Sequence, residues 1–214
     1  QGIFRHALSL RRVVSDPKLR GMLMLAVAGG TSVLGRFGLS LRLVRLAATY
    51  EHSPRERAGI TLVRSTIHFY QGEWDRVIEE VDERCADEEA RKHGPGFFAI
   101  QTFRCAALGL RGVDIPGCRE MLRQASQMFV TAGHRFNRMN AELAHGQVAL
   151  YAGDFDSAVE HFSESAALAR RIQHHTAETA SYGLLARTYQ RAANSDLAIE
   201  NAELLLAKLE QYKP

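Results

Sequence analysis

The chain has 214 residues, of which 46% are apolar, 24% charged and 8% aromatic, with only five prolines and a formal net charge of +3. That composition suits a soluble globular protein with its own core and excludes a low-complexity or disulfide-framework polypeptide. The longest apolar stretch, around "GMLMLAVAGG", falls short of the roughly 20 residues a membrane helix needs.

In chain order, "QGIFRHALSLRRVV" reads as half of a repeating unit, with Gly2, Phe4 and Ala7. Asp16-Pro17 is a helix start, and Gly35 breaks the chain before a helix carrying Phe37, Ser40, Val44 and Ala47. Ser53-Pro54-Arg55-Glu56 combines a capping-box serine and glutamate with proline at the first helical position. Gly72 precedes Trp74, Val77 and Val81; Gly94-Pro95 opens another helix; Gly112 precedes, after one extra residue, Cys118, Leu122 and Ala125. "LYAGDFDSAVEHF" shows the break most clearly, because residues 141–151 and 155–162 both carry apolar residues three and four apart. Glycine suits the left-handed residue that ends a helix and aspartate the cap that starts the next. Gly153-Asp154 is therefore a tight turn between antiparallel helices. Ala193 takes the turn position forty residues later, followed by Ala198 and Ala202.

Each unit thus reads as a helix of about 16 residues, a turn and a second such helix. The expected boundaries are a half repeat at 1–16 and repeats at about 17–52, 53–91, 95–131, 136–174 and 176–212. Because the chain begins inside a repeat, it is expected to be a segment of a larger protein.

These residues resemble the tetratricopeptide repeat family. Its motif has a small residue seven before the turn glycine, an aromatic two after, alanine five after and a bulky residue nine after. Gly146, Gly153, Phe155, Ala158 and Phe162 match, as do Tyr182, Leu185, Ala186, Tyr189 and Ala198. Trp74, Val77 and Ser40 depart from it, and the repeat-ending proline is generally absent. A period near 40 is similar to the longer-helix branch found in bacterial regulators. The resemblance implies an all-α, right-handed solenoid of antiparallel helix pairs with about eleven helices.

It also implies a groove lined by first helices. Carried onto this chain, the lining is Met22, Leu25, Leu62, Thr66, Phe69, Tyr70, Thr102, Leu143, Gln147, Tyr151, Arg187 and Arg191. It runs from apolar to basic, and the Lys/Asn clamp some members use for C-terminal carboxylates is not matched. An apolar or amphipathic peptide fits it, with Phe69, Tyr70 and Tyr151 as anchors and the Arg187/Arg191 end selecting acids.

Charge is uneven. Residues 1–50 sum to +7 and the remainder to −4. Arg5 and Arg12 share a helix face, as do Arg42 and Arg45, forming a basic patch for an acidic partner, a solvated face or a seam against an upstream repeat. No aromatics interleave with these arginines, which disfavours nucleic acid.

Enzymatic chemistry finds little footing. "AVAGGTSVLGRFG" lacks the Gly-Lys-Ser/Thr ending of a phosphate loop. The adjacent pair His174-His175 diverges on a helix and is expected to cap the C-terminal end of the helix carrying Arg170-Arg171. His134, His145 and His161 lack carboxylate or cysteine at ligand spacing, and Cys85, Cys105 and Cys118 form no metal pattern, so neither metal nor cofactor is expected. Scattered thiols fit a reducing compartment, taken as the cytoplasm.

The expectation is a non-enzymatic protein-interaction module of a larger bacterial regulatory or signalling protein, binding a protein or peptide. The alternative is an effector-sensing, self-associating domain of a maltose-regulator-like transcriptional activator, with a small-molecule effector and homo-oligomerisation.

Overall fold

A computed structural model describes residues 9, 14–50, 53–85 and 94–211, with ten helices and no strand among them. The helices are α1 (Pro17–Val33), α2 (Phe37–Ala47), α3 (Pro54–Tyr70), α4 (Trp74–Cys85), α5 (Pro95–Leu110), α6 (Ile115–Thr131), α7 (Arg135–Ala152), α8 (Phe155–Arg171), α9 (His175–Arg191) and α10 (Ser195–Gln211). The half repeat expected at 1–16, and with it Arg5 and Arg12, lies outside the described residues apart from Ser9 and 14–16. Two compact units divide the chain at 1–100 and 101–214, the boundary falling within α5.

Helix starts follow local chemistry. Ser53 accepts from the Glu56 amide while the Glu56 carboxylate accepts from the Ser53 amide at 2.7 Å, completing the capping box on α3. Asp16 accepts from the Lys18 amide at 2.8 Å ahead of Pro17. Gly153 stands at φ 79°, the left-handed conformation expected of it, and Asp154 caps α8 through the Ser157 amide. Ala193 adopts φ 58° at the equivalent turn, a conformation disfavoured for a residue with a Cβ.

In unit 1, α1 packs on α2 and both on α3. Met24, Val27, Ala28, Leu43, Val44, Ala47 and Ile60 form one apolar cluster there. Ser40, in place of the motif's alanine, is fully buried and donates to the Ala28 carbonyl at 2.6 Å. This bond satisfies a hydroxyl that would otherwise cost about 1–3 kcal/mol to bury. Ile67, Val77 and Val81 close the α3–α4 pair.

In unit 2, α6 to α10 pack in sequence, each on its neighbour, and α9 also reaches α7. Gly146 lets α8 lie close against α7: a Cβ there would sit 2.5 Å from two ring carbons of Phe162, itself fully buried. Serines bridge successive pairs, Ser165 donating to the Met139 carbonyl at 3.1 Å and Ser181 to Ser165 at 3.2 Å. Glu178, 1% exposed, is held between Arg170 of α8 at 3.4 Å and Lys208 of α10 at 3.2 Å. That carboxylate ties three successive helices together.

His174 corrects a sequence expectation. Instead of capping the end of α8 as a cation, it is the N-cap of α9, its Nδ1 accepting from the Ala177 amide at 3.1 Å. Burial pushes its pKa down from 6.5 to about 4, so the neutral ring required of an acceptor is the one present.

Candidate functional site

The first-helix residues that repeat register places in a groove differ sharply in accessibility. In unit 1, Met22 is 46% exposed, and Leu25 and Leu62 are half-buried. Leu25 packs toward Gly59 of α3. Thr66 is buried and donates to the Leu62 carbonyl at 2.7 Å. Phe69 is 7% exposed and sits edge-on to Tyr70, whose ring stacks on Phe37 with centroids 6.4 Å apart. Burial pushes the Tyr70 phenol well above its ordinary range. Phe69 and Tyr70 therefore hold helices together in this state.

In unit 2, Leu143 and Gln147 of α7 are buried, as is Thr102 of α5. Both polar atoms of the Asn140 side chain and Oε1 of Gln147 find no hydrogen-bond partner among the described residues. These two amides lie seven residues apart, on one face of α7.

In unit 2 the accessible first-helix residues are aromatic and cationic. The Arg191 guanidinium lies 5.6 Å from the Phe155 ring centroid and 6.0 Å from that of Tyr151, and donates to the Leu150 carbonyl at 3.2 Å. Cation–π contact and a carbonyl at a helix end both stabilise the charge while leaving the side chain exposed. Phe155 belongs to this cluster although sequence reading assigned it only to the turn motif. Arg187, four residues before Arg191, is exposed on the wall of an open concavity of about 690 Å³ between α9 and α10. Sequence reading missed this concavity. Its signal was the small side chain of Ala202, where the preceding pair has Phe162.

Of the basic patch, Arg42 and Arg45 are exposed on α2. Arg45 borders a cleft of about 210 Å³ with Leu41, Val44, Ala48, Arg64 and His68. The two ring nitrogens of His68 lie 2.5 Å from Glu73 and 3.6 Å from Glu80, and Arg64 pairs with Glu80 at 2.5 Å. Of the cleft's two arginines, Arg64 is thus answered by a carboxylate within the unit.

The Cys105 thiol donates to Cys118, which pushes Cys105 up and holds Cys118 down; both are buried and no disulfide joins them. The His145 and His161 rings stack at 4.7 Å, and Glu142 meets His161 at 2.8 Å. Desolvation, reinforced by the neighbouring His161, pushes the His145 pKa down. Among the described residues no group of three or more His, Cys, Asp or Glu is placed to hold a metal ion, and no helix is long and apolar enough to cross a membrane.

No family model matches the chain, and no curated protein matches it. Among solved structures it is similar to a kinesin light chain with nearly identical TPR-like repeats from Podospora anserina. The two share 18% identity over 94% of this chain and 99% of that one, with a TM-score of 0.48. Helices of 11 to 18 residues, joined in pairs by tight and mostly glycine-led turns that recur at about forty residues, give the described chain the all-α repeat fold that the tetratricopeptide resemblance implies.

Proposed function

We propose that this chain is a non-enzymatic protein-interaction module of a larger bacterial regulatory or signalling protein working in the cytoplasm. It captures a peptide or protein domain on the face lined by its first helices. The observation that supports this most is the Tyr151–Phe155–Arg191 cluster beside Arg187: accessible aromatic surface under a cation, on rigid helices. Aromatic and arginine side chains dominate the energetics of protein interfaces. In this reading, acidic residues of the partner pair with Arg187 and Arg191, and its apolar residues contact Tyr151. Within unit 1, Phe69 and Tyr70 fix the position of α3, and Met22, Leu25 and Leu62 offer apolar surface of their own.

The test is capture from lysate on the purified chain, with native mass spectrometry of what stays bound. One specific protein should be retained, and Tyr151→Ala combined with Arg191→Ala should release it without changing the far-ultraviolet circular dichroism. Retention of a small molecule with no protein would overturn the reading, as would indifference of the captured protein to those substitutions.

A further inference from the structure

Ser40, the fourth residue of α2, donates to the carbonyl of Ala28, seven residues before the turn glycine, at 2.6 Å. A side-chain atom one bond beyond Cβ thus touches the backbone of the facing helix, and the two positions mark where the pair comes closest. The same register holds Ser65 and Val77 in α3–α4, and Gly146 and Ala158 in α7–α8, all of them buried. Between α5 and α6 it holds Cys105 and Cys118. Both thiols are buried within unit 2, and that of Cys105 donates to the Cys118 sulfur. Sulfurs that already touch can be joined by side-chain rotation, whereas sulfurs on diverging backbones would need the helices to move. Cys85 stands apart from them, at the end of α4 in unit 1.

The two thiols differ in position and in character. Cys118 lies in the first turns of α6, its Sγ 4.0 Å from the carbonyl of Val113. Residues 111–114 of that turn are all exposed, as are Gly117 and Arg119 on either side of the cysteine. Cys105 lies deeper, midway along α5. The hydrogen bond from Cys105 favours the Cys118 thiolate, outweighing burial and the Asp114 carboxylate, while Cys105 holds its own proton more tightly. An attacking thiol near the surface therefore faces a protonated one behind it.

We propose that Cys105 and Cys118 are a reversible oxidation site, converted by hydrogen peroxide to an intramolecular disulfide that staples α5 to α6. The proposal stands apart from the protein-interaction reading. The Cys118 thiolate attacks one peroxide oxygen; the S–O bond forms as the O–O bond breaks, and hydroxide leaves to become water. The Cys105 sulfur then attacks the Cys118 sulfenic acid. The S–S bond forms as the S–O bond breaks, and the departing hydroxide takes up the proton Cys105 releases. Two thiols are oxidised by two electrons in all, and the peroxide is reduced to two waters.

The test treats the reduced 1–214 chain with hydrogen peroxide under native conditions, then alkylates it in denaturant. Alkylatable thiols should fall from three to one, with Cys105 linked to Cys118 in a non-reducing peptide map, and dithiothreitol should restore all three. Cys85→Ser should crosslink like the parent. Cys105→Ala should leave Cys118 as a sulfenic acid that dimedone captures, and Cys118→Ala should abolish the link. Alanine is native to this register at Ala28 and Ala158, so both variants should keep the parent's circular dichroism. The oxidised chain should melt about 5 °C or more above the reduced one, because the staple closes a loop in the unfolded chain.

Three thiols surviving peroxide in the folded chain would overturn the proposal, as would a Cys105–Cys118 link that forms only in urea. Chains joined through Cys85 in place of the internal link would also overturn it. A melting temperature that fell on oxidation would do the same, by showing that the bond distorts the crossing.

Discussion

Gly146→Ala separates packing from helix propensity with a single methyl group. On an exposed helix the change would add about 1 kcal/mol of stability, because glycine is the poorer helix former. Here the new Cβ would stand 2.5 Å from Cδ1 and Cε1 of Phe162 and 2.9 Å from Cζ. Carbon atoms prefer about 3.5–4.0 Å, so the overlap is on the order of 1 Å against a ring with no accessible surface to retreat into. Overpacking of this kind costs about 1–3 kcal/mol, and the severe overlap argues for the upper end. The net loss should be about 2 kcal/mol, or a Tm lowered by about 4–8 °C for a chain of this size. Urea unfolding followed by circular dichroism should show a lower midpoint at unchanged slope. Phe162→Leu should shrink the penalty of the added methyl, giving a favourable coupling in the double-mutant cycle, since Leu122 occupies the same position in the preceding pair. A Gly146→Ala variant more stable than the parent would refute the close-approach reasoning.

The His174 cap makes stability depend on pH. Its folded pKa of about 4 lies below the ordinary 6.5, so between those values the unfolded chain binds a proton that the folded one refuses. Stability should be whole above about pH 6.5 and fall by about 3 kcal/mol towards pH 4, and His174→Asn, which still accepts at the cap, should flatten that slope in denaturant titrations. The orphaned amides of α7 give a further prediction: Gln147→Leu should raise stability by about 1–2 kcal/mol in thermal melts, because it removes a buried acceptor without a partner. A loss of stability there would mean that Oε1 is satisfied in solution.

The helix boundaries were legible because they are written in neighbouring residues. Ser53 and Glu56 are three apart, and Gly153 and Asp154 adjacent, so capping geometry follows from local chemistry alone. His174 was misread for the complementary reason. Nearby Arg170 and Arg171 suggested a cationic helix end, while the burial that keeps the ring neutral comes from tertiary packing, including Phe136 at 5.5 Å. The groove register identified a face of each first helix but not how tightly neighbouring pairs close over it. Hence Phe69, Leu143 and Gln147 are buried while Tyr151, Arg187 and Arg191 remain accessible to different degrees. The Arg191 cluster needed Phe155, thirty-six positions earlier, and the open concavity depended on a missing side chain rather than a present one.

The bond from Arg191 to the Leu150 carbonyl bears on how an anion could approach. Guanidinium offers five N–H donors in one plane, and here one edge is committed to the last turn of α7 while the rings of Phe155 and Tyr151 lie beside it. A carboxylate that took the committed edge would break that bond and leave the carbonyl only the Gly153 amide at 3.3 Å, whereas one meeting the free edge disturbs nothing. For the acidic partner proposed above, the arginine would therefore favour one angle of arrival, orienting the chain rather than merely attracting it.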